Sequence, residues 1–264
     1  MLGAAGRMGK TLIDCIAESK DLSLTGALTE TADPAVGRDA GEVAGVGALG
    51  VLLTDDRRQA LHGAQVGIDF TLPAALEANV KAAAEMGTAL VVGTTGLDDK
   101  HRLAMERASH HVPLVYGRNM SVGVNVFMEL VARAARALGE DYDAEIVEAP
   151  HRHKVDAPSG TALALGEAIA SARGRKLADL AVRGRDGQIG PRVPGTIGFS
   201  VVRGGAIVGD HSVMFIAPEE RLEFSHHAID RRTFAHGALR AARWAAGRAP
   251  GIYSMADVLG FAET

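Results

Sequence analysis

The sequence predicts an α/β protein built on a parallel sheet, with a smaller α+β region after it. The first observation is that short apolar segments alternate with helical segments between residues 66 and 138. This alternation is typical of parallel sheets with helices on both faces, which bind ligands at the carboxyl ends of the strands. The second observation is that short strand patterns linked by turn residues become frequent beyond residue 138.

Start and stop signals bound the elements of the first region. A strand at residues 66–70 precedes Pro73, which suits a first helical turn, and the helix at 74–86 ends before Gly87. The alternation continues through four further elements: a strand at 89–92, a helix at 98–109, a strand at 113–116 and a helix at 124–138.

The second region is predicted to combine helices with an antiparallel sheet. A strand is expected at residues 144–148 and an alanine-rich helix at 159–172, with a long loop at 183–194. Four short strands linked by turns favour antiparallel pairing, and they are expected at residues 196–203, 206–209, 211–216 and 221–227. A helix at 233–247 follows, and it includes Trp244.

Composition places the chain among soluble globular proteins with one large or two modest domains. It has 264 residues, 47% of them hydrophobic and 23% charged, which excludes wholesale disorder. The net charge of −4 provides no basic field for nucleic acid, and no apolar run is long enough for a membrane span. The single cysteine, Cys15, allows no internal disulfide. We therefore expect a cytoplasmic protein with a small-molecule ligand and neither a nucleic-acid nor a membrane partner.

A glycine-rich motif stands at the start of the sequence. It reads Gly3-Ala4-Ala5-Gly6-Arg7-Met8-Gly9 and leads into a predicted helix at residues 10–18. Such glycines let backbone amides and the helix dipole approach a pyrophosphate, although flexible chain is the alternative. Only Met1 and Leu2 precede the motif, so we expect the first strand to be largely missing from this chain and hypothesise a clipped start.

A second motif at residues 150–161 reads PHRHKVDAPSGT and directly precedes a predicted helix. The ammonium of Lys154 and the amides of Gly160 and Thr161 are expected to bind a carboxylate. A solvated basic turn that only caps the helix is the alternative.

The same motif contains His151 and His153, a pair that resembles the start of a metal site. Two cations, Arg152 and Lys154, stand beside them and repel a metal ion, and no carboxylate cluster is evident. We therefore expect no metal.

With these motifs, the chain resembles the dihydrodipicolinate reductase family, also called 4-hydroxy-tetrahydrodipicolinate reductases, over essentially its full length. Six segments carry the resemblance: residues 3–9, 69–71, 93–96, Asn119 with 121–125, 153–161 and 193–198. The run at 154–161 is the most specific of them.

The resemblance implies a fold and an activity. The fold is a Rossmann-type doubly wound parallel sheet at residues 1–121 and 231–264, with an inserted α+β substrate-binding and tetramerisation domain at 122–230. The activity is the NADH- or NADPH-dependent reduction of 4-hydroxy-tetrahydrodipicolinate to tetrahydrodipicolinate, in diaminopimelate and lysine biosynthesis, by a homotetramer.

The resemblance also implies roles for individual residues. The cofactor would be held at its pyrophosphate by Gly3, Ala4, Ala5, Gly6, Arg7 and Met8, and on its nicotinamide side by Gly93, Thr94, Thr95, Gly117, Arg118, Asn119 and Met120. The substrate carboxylates would be held by His151, Lys154, Gly160 and Thr161. The catalytic candidates are Lys154 and His153.

This sequence departs from the family pattern at Pro150, where the family has a histidine that acts as general acid four residues before the lysine. Proline cannot donate a proton, and general acid catalysis contributes about 10²–10⁴-fold to rate. We therefore expect either a slow enzyme or replacement of the acid by His151, His153 or a water molecule.

A second departure concerns the cofactor's ribose. After the second strand such enzymes place an acid for the ribose hydroxyls, often followed by an arginine for a 2′-phosphate, and here Thr29 and Glu30 stand there. Glu30 repels a 2′-phosphate, so NADH is favoured over NADPH, although Arg7 offers a compensating charge. Two alternatives stay open: a catalytically impaired cofactor-binding homologue, and another two-domain NAD(P)-dependent dehydrogenase.

Overall fold

The computed structural model describes residues 1–261, so the last three residues of the expected dinucleotide-binding domain lie outside the described part of the chain. Two compact units form: one from Met1–Val122 and Arg231–Thr264, the other from Gly123–Asp230. The strands are β1 (Ala27–Leu28), β2 (Leu53–Thr54), β3 (Val66–Asp69), β4 (Ala89–Val92), β5 (Pro113–Tyr116), β6 (Asp143–Ala149), β7 (Ala181–Val182), β8 (Ile197–Val201), β9 (Gly209–Ile216), β10 (Arg221–Ala228) and β11 (Gly251–Ser254).

The helices show the start and stop signals expected of them. They are α1 (Arg7–Ala17), α2 (Ala40–Ala44), α3 (Arg57–Leu61), α4 (Pro73–Met86), α5 (Asp99–Ser109), α6 (Val122–Leu138), α7 (Gly160–Ala172), α8 (Leu177–Leu180), α9 (Arg232–Ala245) and α10 (Met255–Leu259). Pro73 is the first residue of α4, and Gly87 ends it in the left-handed conformation. None of the helices within residues 1–261 is both long enough and apolar enough to span a bilayer.

The first unit contains a parallel sheet of short strands. Strands β11, β5, β4 and β3 pair in that order, and β1 pairs with β2. Leu2 forms parallel bridges with both Leu28 of β1 and Asp69 of β3, and its amide donates to the carbonyl of Ile68 (2.8 Å). The order is therefore β2-β1-Leu2-β3-β4-β5-β11, which confirms the predicted doubly wound sheet, with Leu2 at the place of the first strand.

Two apolar cores lie on opposite faces of this sheet. In β4, Val91 packs in the core that contains α1 and α9, whereas Leu90 and Val92 pack in the core that contains α4 and α5. Successive side chains of a strand point to opposite faces, so a run of apolar residues serves both cores. The unit therefore has helices on both faces of its sheet, and α9 is one of them.

The second unit contains a five-stranded sheet in the order β10-β9-β6-β8-β7. The predicted antiparallel sheet is wrong in part, because β8 pairs in parallel with both β6 and β7. Helices α7 and α8 provide the crossover that parallel pairing requires. The separate strand predicted at residues 206–209 is also wrong, since the chain turns at Gly205 (φ +52°) and then forms one strand, β9.

Helices cover one face of this second sheet. The opposite face lies outside the apolar core. Val131 of α6 and Leu165 of α7 pack with Ile146 and Phe215 of the sheet. The opposite face carries half-buried side chains: Val147, Ser212, Met214 and Ile216. Position along each strand therefore decides which residues reach the helices.

Candidate functional site

The glycine-rich motif forms a tight loop at the carboxyl end of Leu2. The amides of Gly3 and Ala4 both donate to the carbonyl of Leu28 (3.0 and 2.8 Å), and that of Gly6 donates to the carbonyl of Gly3 (3.1 Å). Gly3 has a φ of +80°, which favours glycine, and a Cβ at Gly9 would lie 2.2 Å from the carbonyl oxygen of Gly3. The glycines thus let α1 begin directly against the loop.

The start of α1 fits an anionic group. Gly6 is the N-cap residue and provides no side-chain hydrogen bond to the helix amides. The first amides of a helix have no acceptor within the helix, and the helix dipole favours negative charge there. Arg7 is exposed on this first turn and Met8 is half-buried, whereas Ala4 is fully buried beneath the loop. These residues fit the pyrophosphate of a dinucleotide.

A buried carboxylate organises the adjacent loops. Asp69, at the end of β3, accepts hydrogen bonds from the amide and hydroxyl of Thr71 (2.8 and 2.7 Å), the hydroxyl of Thr94 (3.3 Å) and the side-chain amide of Asn79 (2.9 Å). The Asn79 oxygen accepts in turn from Arg57 (2.8 Å). A fully buried carboxylate needs such donors. Asp69 therefore fixes the loop after β3 and the loop after β4, and the hydroxyl of Thr94 serves this network.

The residues expected on the nicotinamide side follow β4 and β5. Gly93 lies against the ring of Phe70, which sequence reasoning did not single out, and Thr95 is exposed. After β5 come a half-buried Gly117, an exposed Arg118, Asn119, whose side-chain oxygen accepts from the amide of Ser121 (2.9 Å), and Met120, whose side chain is in the core. Since parallel strands share one carboxyl edge, both groups lie at the edge where the glycine loop begins.

The loop after β1 contains a carboxylate that the sequence analysis missed. Glu30 is exposed, whereas Asp33 accepts from the hydroxyl of Thr29 (2.7 Å) and from the amide of Ala35 (2.8 Å). The hydrogen bond from Thr29 is the main cause that lowers the pKa of Asp33 below its ordinary value. Asp33 is thus a fixed, ionised acceptor beside the predicted ribose position.

In the second unit, residues 150–158 form a loop that is held by hydrogen bonds with residues 203–205. The guanidinium of Arg203 donates to the carbonyls of Lys154 (2.6 Å) and Asp156 (2.8 Å). The amide of Arg152 donates to Gly205, and that of Gly204 donates to the buried Pro150 (3.1 and 3.2 Å). The loop conformation is therefore set by contacts with the turn before β9.

Within this loop the ammonium of Lys154 lies 2.8 Å from a carboxylate oxygen of Asp156. The hydrogen bond from Lys154 is the main cause that lowers the pKa of Asp156. Asp156 was not among the predicted site residues. It orients Lys154, and an anion that binds Lys154 must share or displace this ion pair.

Helix α7 begins immediately after the loop. The Ser159 hydroxyl caps the helix by accepting from the amide of Ala162 (3.2 Å), and the Ser159 amide donates to Oε1 of Glu148 (2.8 Å). Gly160 is exposed and Thr161 is half-buried in the first helical turn. The structure therefore places two of the predicted carboxylate ligands at a capped helix N-terminus.

The histidines of the motif differ in burial. His151 is half-buried and His153 is exposed, with their ring centres 6.4 Å apart. Among residues 1–261, the histidine, cysteine, aspartate and glutamate side chains form no group of three or more that could hold a metal ion. The motif is thus a cationic loop before a helix, an arrangement that suits an anion.

Comparison with known proteins identifies one family over nearly the whole chain. Residues 1–120 match the family described as dihydrodipicolinate reductase, N-terminus, and residues 123–259 match its C-terminus. A 4-hydroxy-tetrahydrodipicolinate reductase of Alkalilimnicola ehrlichii is 51% identical over 98% of this chain and 97% of its own length. A reductase of the same name from Thiobacillus denitrificans is 52% identical over 98% and 96%.

Solved structures agree in fold. The dihydrodipicolinate reductase of Paenisporosarcina sp. TG-14, with dipicolinate bound, superposes with a TM-score of 0.75 at 18% identity, covering 96% of this chain and 95% of the other. An amine dehydrogenase of Mycobacterium smegmatis gives a TM-score of 0.63 at 12% identity, covering 96% and 92%. With both family segments matched and relatives at about half identity, this chain belongs to the dihydrodipicolinate reductase family.

Proposed function

We propose that the chain reduces 4-hydroxy-tetrahydrodipicolinate to tetrahydrodipicolinate, a step of diaminopimelate and lysine biosynthesis. It is an NAD(P)H-dependent oxidoreductase. The observation that supports the assignment of the substrate site is the loop held by Arg203, in which Lys154 pairs with Asp156 and from which the chain runs directly into α7. Such a cation beside a helix N-terminus matches a small ring that bears two carboxylates.

The first unit is proposed to hold the cofactor. The loop from Gly3 to Met8 holds its pyrophosphate through the amides that open α1, those of Arg7 and Met8, and the residues after β4 and β5 face its nicotinamide. When bound, the nicotinamide supplies a hydride. The Asp69 network keeps the loop that contains Gly93, Thr94 and Thr95 in place for this contact.

The second unit is proposed to hold the substrate. Lys154 and the amides of Gly160 and Thr161 bind its carboxylates, and His151 completes the site. The net reaction removes one water and adds one hydride and one proton. Lys154 stabilises negative charge that develops on the ring, and Lys154 or His153 delivers the proton to the ring carbon next to the reduced one.

The experiment that tests the function measures oxidation of the cofactor in the presence of 4-hydroxy-tetrahydrodipicolinate, with NADH and with NADPH. We expect oxidation only when the dicarboxylate is present. We also expect a KM for NADH about tenfold lower than that for NADPH, because Glu30 and Asp33 repel a 2′-phosphate. The variant Glu30→Gln is expected to narrow this difference.

Three other results have definite meanings. A lower KM for NADPH would contradict the charge argument and point to Arg7 as the 2′-phosphate ligand. Binding of cofactor and dicarboxylate without cofactor oxidation would favour the catalytically impaired homologue. Cofactor oxidation with a substrate that is not a dicarboxylate would favour another two-domain dehydrogenase.

We further propose a cytoplasmic homotetramer that associates through the sheet of the second unit and has neither a nucleic-acid nor a membrane partner. Support comes from the sheet face opposite α6 and α7, where Val147, Ser212 and Met214 are half-buried. Light scattering is expected to give a particle of four 27.5 kDa chains. A single-chain mass at micromolar concentration would exclude the tetramer.

A further inference from the structure

A row of buried ionisable side chains crosses the second sheet next to the proposed substrate loop. Glu148 of β6 is the cross-strand partner of His211 of β9, which is the partner of His226 of β10. The side chains of Glu148 and His211 are only 2% and 10% exposed, and His226 stacks on Phe127 of α6. None of these residues belongs to the predicted site.

The contacts of His211 define what the row can do. Its Nε2 lies 3.3 Å from the Ser159 hydroxyl and 3.6 Å from Oε2 of Glu148, while its buried Nδ1 has no hydrogen-bond partner among residues 1–261. In a nucleophilic triad, the serine hydroxyl and the carboxylate contact different nitrogens of the histidine ring. Here both face the same nitrogen, so the group is not a nucleophilic triad.

Glu148 connects the row to the start of α7. Its Oε1 accepts from the amide of Ser159, the residue that caps α7 before Gly160 and Thr161. Burial raises the pKa of Glu148, but the nearby His211 ring and the hydrogen bond from the Ser159 amide together outweigh burial and lower it. A buried, ionised carboxylate thus lies beside a site that has to attract anions, and such a charge requires a compensating partner.

We propose that Glu148 and His211 are positioning residues of the substrate site: Glu148 fixes Ser159 and the first turn of α7, and His211, whose Nε2 faces both Ser159 and Glu148, holds the Glu148 carboxylate in that position. The inference rests on the proposed function, because it takes the start of α7 as the carboxylate site.

The groups that face His211 are Glu148 from β6, Ser159 from the loop before α7 and His226 from β10. Loss of the His211 side chain removes the ring that faces Oε2 of Glu148. The affinity for a dicarboxylate is therefore expected to fall, and removal of the Glu148 charge as well is expected to recover it.

The test measures dipicolinate binding to the NADH-loaded protein by calorimetry. His211→Gln is expected to weaken dipicolinate about tenfold, since the negative charge of Glu148 then acts on the dianion without the ring that faces it. Adding Glu148→Gln, which keeps an oxygen for the Ser159 amide, is expected to restore affinity to within about threefold of the parent. The NADH dissociation constant stays unchanged in both variants. His227→Gln, on the outer face of the same sheet, is the matched control.

The outcomes separate the alternatives. A double variant that binds as weakly as His211→Gln, or more weakly, would mean that the row is merely structural and would overturn the proposal. Should His211→Gln not fold, His211→Asn takes its place, alone and combined with Glu148→Gln, and a double variant that regains no affinity overturns the proposal. If Lys154→Met leaves dipicolinate affinity unchanged, the proposed function of the loop fails; if only the His211 variants leave it unchanged, this inference alone fails.

Discussion

Replacing Lys154 with methionine is expected to lower kcat/KM for the dicarboxylate by about 10²–10³-fold, the usual cost of losing one donor that stabilises developing charge. Methionine keeps most of the length of the side chain and removes the ammonium that pairs with Asp156. Both kcat and KM are expected to change, because the same charge binds the ground state and stabilises the ring as it is reduced. Steady-state kinetics with saturating NADH measures the effect.

Lys176→Met provides a matched control, since Lys176 is an exposed lysine of the same unit at the start of α8. It is expected to leave kcat/KM unchanged. The NADH dissociation constant should be unchanged in both variants, because the proposed cofactor residues belong to the first unit. If the Lys154→Met enzyme has the parental kcat/KM, residues 150–161 do not form the substrate site.

The elements that the sequence predicted well are those whose ends carry a local signal. Pro73 and Gly87 bound α4, and the helix at 98–109 is capped by Asp98. Periodicity did not reveal α2, α3, α8 and α10 or strands β2, β7 and β11, because each has only two to five residues. Tertiary pairing, which the sequence does not display, fixes such short elements.

The direction of pairing in the second sheet illustrates the same limit. Glu148 pairs in parallel with Val201 on one side and antiparallel with His211 on the other. A strand pattern alone carries no information about either direction. The signal lay instead in the helix pattern between β6 and β8, which marks a crossover connection.

The site divides in a similar way. Sequence motifs identified candidate residues at helix starts, such as Gly6 and Gly160, because glycine at a helix start is a local feature. Asp33, Glu148 and His211 depend on contacts that the motifs do not encode. Glu148 did leave a signal, since it is a charged residue in phase with the buried positions of β6 and therefore required a buried partner.

Substitution of Pro150 by histidine is expected to raise kcat by about 10²-fold, the lower end of the contribution of general acid catalysis. Pro150 directly follows β6, and its carbonyl accepts from the amide of Gly204, a bond that histidine retains. The new imidazole would stand four residues before Lys154 and supply the proton donor that proline lacks. The measurement is kcat at saturating substrate and its pH profile, which should gain a fall towards alkaline pH as the new imidazole loses its proton.

Pro150→Ala separates chemistry from backbone freedom, because it removes the ring without adding an acid. It is expected to leave kcat within about twofold of the parent, the range of ordinary substitutions that touch no reacting group. An equal gain in both variants would assign the effect to release of the loop. An unchanged kcat in Pro150→His would mean that the reaction does not lack a proton donor at position 150. In that case the parent already draws the proton from Lys154, His153 or His151, and the variants His153→Ala and His151→Ala should then lower kcat.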